Sequence, residues 1–174
     1  MLIKTEDLTP KTIINFYVPE AMTAEGNSLL FFAGEATESD FISQIFDIDG
    51  IKRCLISGNL LSVQYSDLAE KENVKALVLA EADEYITGKD SLSDVADRAD
   101  LLAKCEAVAD ALIRPTLNRD KGDIALLSLQ NGVLEVQFTG HCAGCPYAQN
   151  TLQNVIVRTL KNRLPQIEEV KLKE

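Results

Sequence analysis

The sequence predicts an α+β protein of two small domains, because helix-like and strand-like segments are mixed along it and its halves differ in charge. The chain of 174 residues can hold one full domain or two small ones. Up to Thr87, 6 basic and 15 acidic residues give a net charge of −9; the rest, with 11 basic and 12 acidic residues, carries −1. Residues 87–94 form a polar run typical of an interdomain connection. We therefore predict domains at residues 1–86 and 98–174, joined by a linker at residues 87–97.

The first predicted domain begins with two strands and a short helix. Residues 12–18 are rich in isoleucine and aromatic residues, and residues 28–32 follow a Gly-Asn turn signal, so both segments are predicted to be strands. Ser39 can cap a helix by accepting a hydrogen bond from its first turn. The apolar helical pattern that follows Ser39 ends at Asp49-Gly50.

A hairpin and a longer helix complete this domain. Residues 51–57 and 60–65 are predicted strands on either side of Gly58-Asn59, a pair suited to the positive backbone dihedrals of a tight hairpin. Asp67 is predicted to cap the helix that follows, whose apolar face ends near Gly88.

The second predicted domain opens with a helix and a hairpin. The helix covers about residues 98–113, and Pro115 is predicted to stop it. Strands at residues 124–129 and 133–138 are joined by Asn131-Gly132, the strongest hairpin signal in the chain.

A loop, a helix and a strand complete the second domain. The loop covers residues 139–146 and leads into a helix that runs to about Arg163 and is closed by Pro165. Residues 167–172 form the last predicted strand. The order helix, strand, strand, helix, strand predicts a two-layer α-β-β-α-β sandwich.

The composition excludes several classes of function. A net charge of −10 repels a phosphate backbone, so we expect no nucleic-acid partner. No apolar run approaches the roughly 18 residues of a membrane span, so we expect no membrane protein. Residues 1–20 show neither a signal nor a transit pattern, which favours a cytoplasmic protein. Four cysteines then favour metal or redox chemistry in a reducing compartment over a disulfide scaffold.

Cys142 and Cys145 are the candidate site, because a CxxC spacing lets both sulfurs face one metal centre or form one small disulfide ring. With Pro146 in the first turn of the next helix, the pair is predicted to lie at a helix start, where the dipole favours thiolates. Gly140 and Gly144 let the backbone bend closely around a ligand. Thiolates suit zinc and iron-sulfur clusters, but both usually need four donors.

Three interpretations remain open from the residues alone. Two copies of the chain could place two CxxC loops on a two-fold axis and hold one cluster with four thiolates. Cys54 and Cys105 could instead complete a zinc site within one chain, although both are predicted to be buried hydrophobic residues. In the third interpretation no metal binds, and the pair acts as a redox dithiol.

The remaining candidates have simpler structural interpretations. We expect His141 to be structural or to support a neighbouring ligand, and Asp120–Asp123 to be a turn that enters a strand. Arg114 is interpreted as a surface charge at a helix end, and Tyr147 as packing at a helix start. The sequence has no nucleophile with a histidine base, no phosphate-binding loop and no dinucleotide fingerprint, so we do not expect an enzyme.

Several motifs stand out along the chain. The first half has an apolar helical pattern at residues 39–46, followed by Asp47-Ile48-Asp49-Gly50-Ile51. The second half has five motifs: Ile113-Arg114-Pro115, the turn Asp120–Asp123, Gly140-His141-Cys142-Ala143-Gly144-Cys145-Pro146, Thr151-Leu152 and Leu164-Pro165-Gln166-Ile167. Together these motifs resemble the N-terminal and C-terminal domains of the NifU-like (Nfu) iron-sulfur proteins.

The resemblance implies a scaffold or carrier that receives an iron-sulfur cluster from an upstream assembly scaffold and passes it to apo-proteins. The cluster is expected to be [4Fe-4S], with [2Fe-2S] as the alternative, held by Cys142 and Cys145 of both subunits of a homodimer. The N-terminal domain is expected to recognise partners, and its negative charge to steer basic ones. A thiol-disulfide oxidoreductase and a structural-zinc adaptor are the alternative functions.

This chain departs from the family pattern at three places. Lys121 replaces one glycine of the family's common Asp-Gly-Gly-Asp turn, and His141 stands where a small residue is usual. Leu8-Thr9-Pro10-Lys11 stands where relatives often have Pro-Asn-Pro-Asn. None of these departures removes a cysteine.

Overall fold

The computed structural model describes residues 2–8, 11–88, 90–147, 150 and 152–173. The chain divides into two compact units, Met1–Ala99 and Asp100–Glu174. Three residues named in the sequence argument lie outside the described residues, namely Thr9, Pro10 and Thr151, and so does residue 89 of the predicted linker. Among the described helices, none combines the length and apolar character that crossing a membrane requires.

The first unit contains one antiparallel sheet of five strands in the order β1-β2-β5-β4-β3. Its core contains large side chains from both the sheet and the helices, among them Phe16, Phe41, Ile45 and Val78. The elements in chain order are β1 Lys4–Leu8, β2 Ile13–Tyr17, β3 Ser28–Phe32, α1 Asp40–Asp47, β4 Ile51–Ser57, β5 Leu60–Tyr65 and α2 Lys71–Thr87.

The structure confirms most of the local signals in this unit. Ser39 caps α1, since its side chain accepts a hydrogen bond from the Ile42 backbone N–H at 3.3 Å. Gly58 has a φ of +59° in the hairpin between β4 and β5, and α2 ends at Gly88. Asp67 is not the cap that was predicted: a turn in which the Ala69 N–H bonds to the Ser66 carbonyl delays the start of α2.

Strand β1 was not predicted. Its sequence, Lys4-Thr5-Glu6-Asp7-Leu8, contains three charged residues and lacks an apolar alternation. It lies at the edge of the sheet, where charged side chains are tolerated and protect the edge from aggregation. Pairing with β2, from Lys4 opposite Tyr17 to Leu8 opposite Ile13, makes this segment a strand.

Residues 90–97, which the sequence predicted as part of a linker, belong to the first unit in this division. Leu92 is 1% exposed and forms part of the core of this unit. Asp97 accepts a hydrogen bond from the backbone N–H of Leu30 in the edge strand β3, at 2.8 Å. An apolar anchor and a carboxylate thus hold this segment on the first unit.

We predict that Asp7→Asn lowers the free energy of unfolding at pH 7 by up to about 1 kcal/mol. Asp7 lies 3.2 Å from the ammonium groups of both Lys71 and Lys75, and so ties β1 to α2. Partial burial acts to raise the pKa of Asp7, but hydrogen bonds from Lys75 and Lys71 bring it below its ordinary value of 3.8. Because the pKa is depressed in the folded state, the stabilisation is complete above that ordinary value and is lost as the pH falls through the folded-state value.

Urea unfolding of both proteins at pH 7 and at about pH 3 tests this prediction. The difference between wild type and Asp7→Asn should shrink at the lower pH. Asp67→Asn, which removes an exposed carboxylate from the same unit, serves as the control. An equal effect of Asp7→Asn at both pH values would contradict the electrostatic explanation.

The second unit is a three-stranded sheet in the order β6-β7-β8, together with helical segments. Strands β6 and β7 are antiparallel, and β7 and β8 are parallel. This agrees with the predicted α-β-β-α-β order and the α+β class. The elements are α3 Leu101–Val108, a first π-helical segment Ala109–Ile113, α4 Arg114–Arg119, β6 Gly122–Gln130, β7 Val133–Gly140, a second π-helical segment Leu152–Val157, α5 Arg158–Arg163 and β8 Glu169–Leu172.

The first helical stretch of this unit does not stop at Pro115, so that prediction was wrong. Pro115 lies in the first turn of α4, directly after the first π-helical segment. Within an α-helix, proline clashes with the carbonyl four residues earlier, here that of Ala111. The wider turn, in which the Arg114 N–H bonds to the Ala109 carbonyl, gives the ring room and lets the helix continue.

The hairpin between β6 and β7 forms where the sequence predicted it. Asn131 and Gly132 have φ values of +51° and +76°, the positive pair that a tight two-residue turn requires. The register that this turn sets shifts by one residue at the bulge between Leu126 and Ser128, and the shifted register brings Gly122 opposite Gly140 at the other end of the hairpin. The candidate site lies at that end.

Candidate functional site

Two successive tight turns carry the cysteine pair directly after β7. The backbone N–H of Ala143 bonds to the Gly140 carbonyl at 3.1 Å, and that of Cys145 bonds to the Cys142 carbonyl at 3.3 Å. Gly140 and Gly144 have φ values of +61° and +73°, which glycine adopts without steric penalty. The turns leave both cysteines free and half-buried, so both thiols are accessible.

The cysteine pair lies in turns and not at a helix start within the described residues. Pro146 and Tyr147 are also turn residues, helical geometry is described at residue 150 and over residues 152–163, and residues 148, 149 and 151 lie outside the described set. The lowering of the thiol pKa that a helix start predicts is not found for Cys142. Burial first, and then negative charge on Cys145, Asp120 and Asp123, raise the pKa of the Cys142 thiol.

Gly122, the first residue of β6, provides the space that Cys142 occupies. A Cβ atom at position 122 would lie 2.0 Å from the Sγ atom of Cys142 and 3.1 Å from its backbone nitrogen. A side chain there would therefore displace the thiol or the strand. From the sequence, Gly122 was predicted only as part of a turn. The signal that could have identified its role is the Gly-Gly pair in the corresponding turn of the NifU-like proteins that this segment resembles.

The turn before β6 also contacts the cysteine loop. The carbonyl oxygen of Lys121 accepts a hydrogen bond from the backbone N–H of His141 at 3.1 Å. A Cβ atom on Gly140 would lie 2.6 Å from the same oxygen, so the close approach of the two backbones requires glycine at position 140. Lys121 has a φ of +58°, in the left-handed region that favours glycine.

We predict that Lys121→Gly raises the free energy of unfolding by about 0.5–1 kcal/mol, because a non-glycine residue at positive φ is strained. Asn131→Gly is the matched control, since asparagine at φ +51° tolerates the left-handed region and should gain less. Urea unfolding of the three proteins measures both effects. If Lys121→Gly is no more stable than wild type, the lysine is not strained.

Arg114 is a buried cation and not the predicted surface charge. It is 8% exposed, and its guanidinium donates to Glu106 at 2.8 Å, to Asp110 at 2.9 Å and to the carbonyl of Ile124 at 3.0 Å. Its Nε atom lies 3.3 Å from the carboxylate of Asp123. Burial acts to lower the pKa of Arg114, but hydrogen bonds and charge from Glu106 and Asp110 outweigh it and raise the pKa.

The other two cysteines are core residues, as predicted. Cys54 and Cys105 are both free and fully buried, and burial raises the pKa of each thiol to about 12. Across the described residues, no group of three or more His, Cys, Asp or Glu side chains could hold a metal ion. The four-cysteine zinc site within one chain therefore has no support.

The two other sequence candidates near the pair are both exposed. The side chain of His141 faces solvent, while its backbone N–H makes the bond to Lys121. Tyr147 is 70% exposed in a turn, so the predicted packing at a helix start is wrong.

A groove of about 390 Å³ opens beside both cysteines. Phe138 and Leu172 provide apolar walls, and Lys173, directly after β8, also lines the groove. Two accessible thiols beside a cleft open to solvent can bind a metal-sulfur group and can also be reached by ligands of another molecule. The fold and the site thus define a two-unit α+β protein that presents a thiol pair to an external partner or cargo.

Comparison with known proteins finds a family model that matches the second unit. Residues 106–171 match the family model described as NifU-like domain. This match includes Arg114, the Asp120–Asp123 turn and both cysteines of the candidate site. The second unit therefore contains a NifU-like domain, and the comparisons support the Nfu family for the chain.

Two relatives show the extent of the similarity. Proteins of Drosophila persimilis and Drosophila virilis, both named NFU1 iron-sulfur cluster scaffold homolog, mitochondrial, are 26% and 24% identical over 181 aligned positions. Each alignment covers 98% of this chain but only 64% and 61% of the relative. The chain thus spans less than two thirds of the length of these relatives.

Two solved structures resemble less than half of this chain. A crystal structure of protein SAV1430 from Staphylococcus aureus is 19% identical, with a TM-score of 0.41, and covers 47% of this chain and 99% of that protein. Its solution structure has a TM-score of 0.38 at the same identity, and covers 46% of this chain and 87% of that one.

Proposed function

We propose that this protein is an iron-sulfur cluster scaffold or carrier in which Cys142 and Cys145 bind the cluster. The observation that carries the proposal is the half-buried thiol pair, held on two tight turns beside an open groove, within a NifU-like domain. The names of the Drosophila relatives support the same role. Thiolates are the protein ligands that iron-sulfur clusters prefer.

The ligand count supports a homodimer that forms when the cluster binds. A [4Fe-4S] or a [2Fe-2S] cluster usually takes four thiolates, and one chain offers two accessible ones. Two copies related by a two-fold axis present identical surfaces to each other, so both cysteine pairs can face one cluster. We propose a [4Fe-4S] cluster, with [2Fe-2S] as the alternative outcome of the test.

The accessibility of the pair supports transfer of the cluster. A cluster held by two turns beside a cleft can be approached by thiolates of an acceptor, and ligand exchange can then proceed one thiolate at a time. In this proposal the cluster is not a permanent cofactor. The protein receives it from an upstream assembly scaffold and transfers it to an apo iron-sulfur protein. The protein is then not an enzyme, because it completes no chemical turnover of its own.

The charge distribution supports a separate role for the first unit in partner recognition. Residues 1–99 contain 8 basic and 18 acidic residues, a net charge of −10, and residues 100–174 contain 9 of each, a net charge of 0. Complementary charge accelerates encounter and selects partners. We propose that the first unit steers basic surfaces of donors or acceptors, and that the protein acts in the reducing environment of the cytoplasm.

Anaerobic reconstitution with iron and sulfide tests the function. We expect the eluted protein to be a dimer that holds one cluster, as measured by size-exclusion chromatography, visible absorption, and iron and sulfide analysis. A colourless monomer without iron would overturn the proposal. Zinc whose removal unfolds the second unit would favour a structural-zinc adaptor, and a reversible Cys142–Cys145 disulfide would favour a dithiol oxidoreductase.

A further inference from the structure

Arg114 connects the helical layer of the second unit to the first residues of β6. On the helical side, its guanidinium binds the carboxylates of Glu106 and Asp110. On the strand side, it donates to the carbonyl of Ile124 and lies beside the carboxylate of Asp123. This carboxylate also accepts a hydrogen bond from the backbone N–H of Ile124 at 2.8 Å. The Asp123–Ile124 peptide is therefore held by side-chain contacts on both of its residues.

The same short piece of backbone contacts Cys142. Gly122 lies directly against the Sγ atom: a Cβ atom on this glycine would lie 2.0 Å from the sulfur and 3.1 Å from the backbone nitrogen of Cys142. The glycine backbone thus limits where the sulfur can lie. A shift of the 122–124 backbone would change the space that the thiol occupies.

We propose that Arg114 is a positioning residue for Cys142: it fixes the 122–124 backbone, and this backbone seats the thiol. Arg114 suits this role because a planar guanidinium can bind several acceptors at once in fixed directions, which a lysine ammonium cannot. Its burial limits competition from water. The effect on a bound cluster rests on the proposed function, whereas the positioning of the Cys142 thiol is a property of the protein without a cluster.

Three variants separate this role from general stabilisation. Asp123→Ala removes the carboxylate contact of Arg114 on the strand side and leaves Gly122, which faces Cys142, in place. Asp110→Ala is the matched control, because it removes a carboxylate contact of the same guanidinium on the helical side. Arg114→Lys retains the buried charge, whereas Arg114→Ala would leave the carboxylates of Glu106, Asp110 and Asp123 without a cation.

Amide hydrogen exchange of the reduced protein without cluster, followed residue by residue by NMR, is the first measurement. We expect protection of the residue-123 amide, at the start of the β6–β7 pairing, to fall about tenfold or more in Asp123→Ala and Arg114→Lys, and to change less than about twofold in Asp110→Ala. The Cβ chemical shift of Cys142 should change in the same two variants and not in Asp110→Ala. Unchanged protection in Asp123→Ala and Arg114→Lys would overturn the proposal. Equal loss in Asp110→Ala would also overturn it, because the effect would then be general loosening.

The fraction of protein that retains a cluster after reconstitution is the second measurement. A ligand that is held out of position binds its metal less tightly, so we expect Asp123→Ala to retain about tenfold less cluster than Asp110→Ala. The two failures can be told apart. If the wild-type protein takes up no cluster, the proposed function fails, and the amide measurement still decides the positioning role. If the wild-type protein loads its cluster but neither the amide nor cluster retention responds in the variants, only the positioning role fails.

Discussion

Replacing Cys142 or Cys145 with serine is expected to abolish cluster binding and to leave the fold intact. A serine hydroxyl stays protonated near neutral pH and is a far weaker ligand for iron than a thiolate. In a two-fold dimer, each substitution removes two of the four ligands. Both side chains are half-exposed, so the change in the free energy of unfolding should stay within about 0.5 kcal/mol.

Cys105→Ser is the matched control for both substitutions. It makes the same chemical change at a fully buried position of the same unit. A buried hydroxyl without a good partner costs about 1–3 kcal/mol, so this variant should unfold at lower urea concentration and still hold its cluster. Iron and sulfide analysis together with urea unfolding compares the three variants. Stoichiometric cluster in both Cys142→Ser and Cys145→Ser would refute the ligand assignment.

The features that the sequence predicted correctly are encoded by neighbouring residues. The cap at Ser39, the hairpins at Gly58-Asn59 and Asn131-Gly132, and the core positions of Cys54 and Cys105 depend on turn chemistry and on apolar periodicity, which act over a few residues. The CxxC motif is local in the same sense. Its recognition therefore did not depend on knowing the fold.

The features that were missed depend on contacts between segments distant in the chain. Strand β1 exists because it pairs with β2, and Arg114 is buried because its partners come from both the helix and β6. The role of Gly122 depends on a cysteine 20 positions later. The helix through Pro115 shows the converse case, in which a local rule is overridden by a wider helical turn.

Gly122→Ala is expected to lower cluster occupancy about tenfold or more and to destabilise the second unit by about 1–3 kcal/mol. The added methyl group would lie 2.0 Å from the Cys142 sulfur, so the thiol must leave its position. Gly34→Ala is the control, because its φ of +87° makes it unfavourable without any atom within 4 Å, and it lies in the first unit. It should lose stability and retain the cluster.

A double-mutant cycle tests whether the clash with the sulfur is the cause. Cys142→Ala removes the sulfur, so Gly122→Ala should destabilise this variant much less than it destabilises the wild type. The contacts that remain, at 3.1 Å to the Cβ atom and the backbone nitrogen of residue 142, are tight but tolerable after small shifts. We expect a coupling free energy of about 1–2 kcal/mol between the two positions. If the changes in the free energy of unfolding caused by the two substitutions simply add, Gly122 affects stability through other contacts and does not determine the position of the Cys142 thiol.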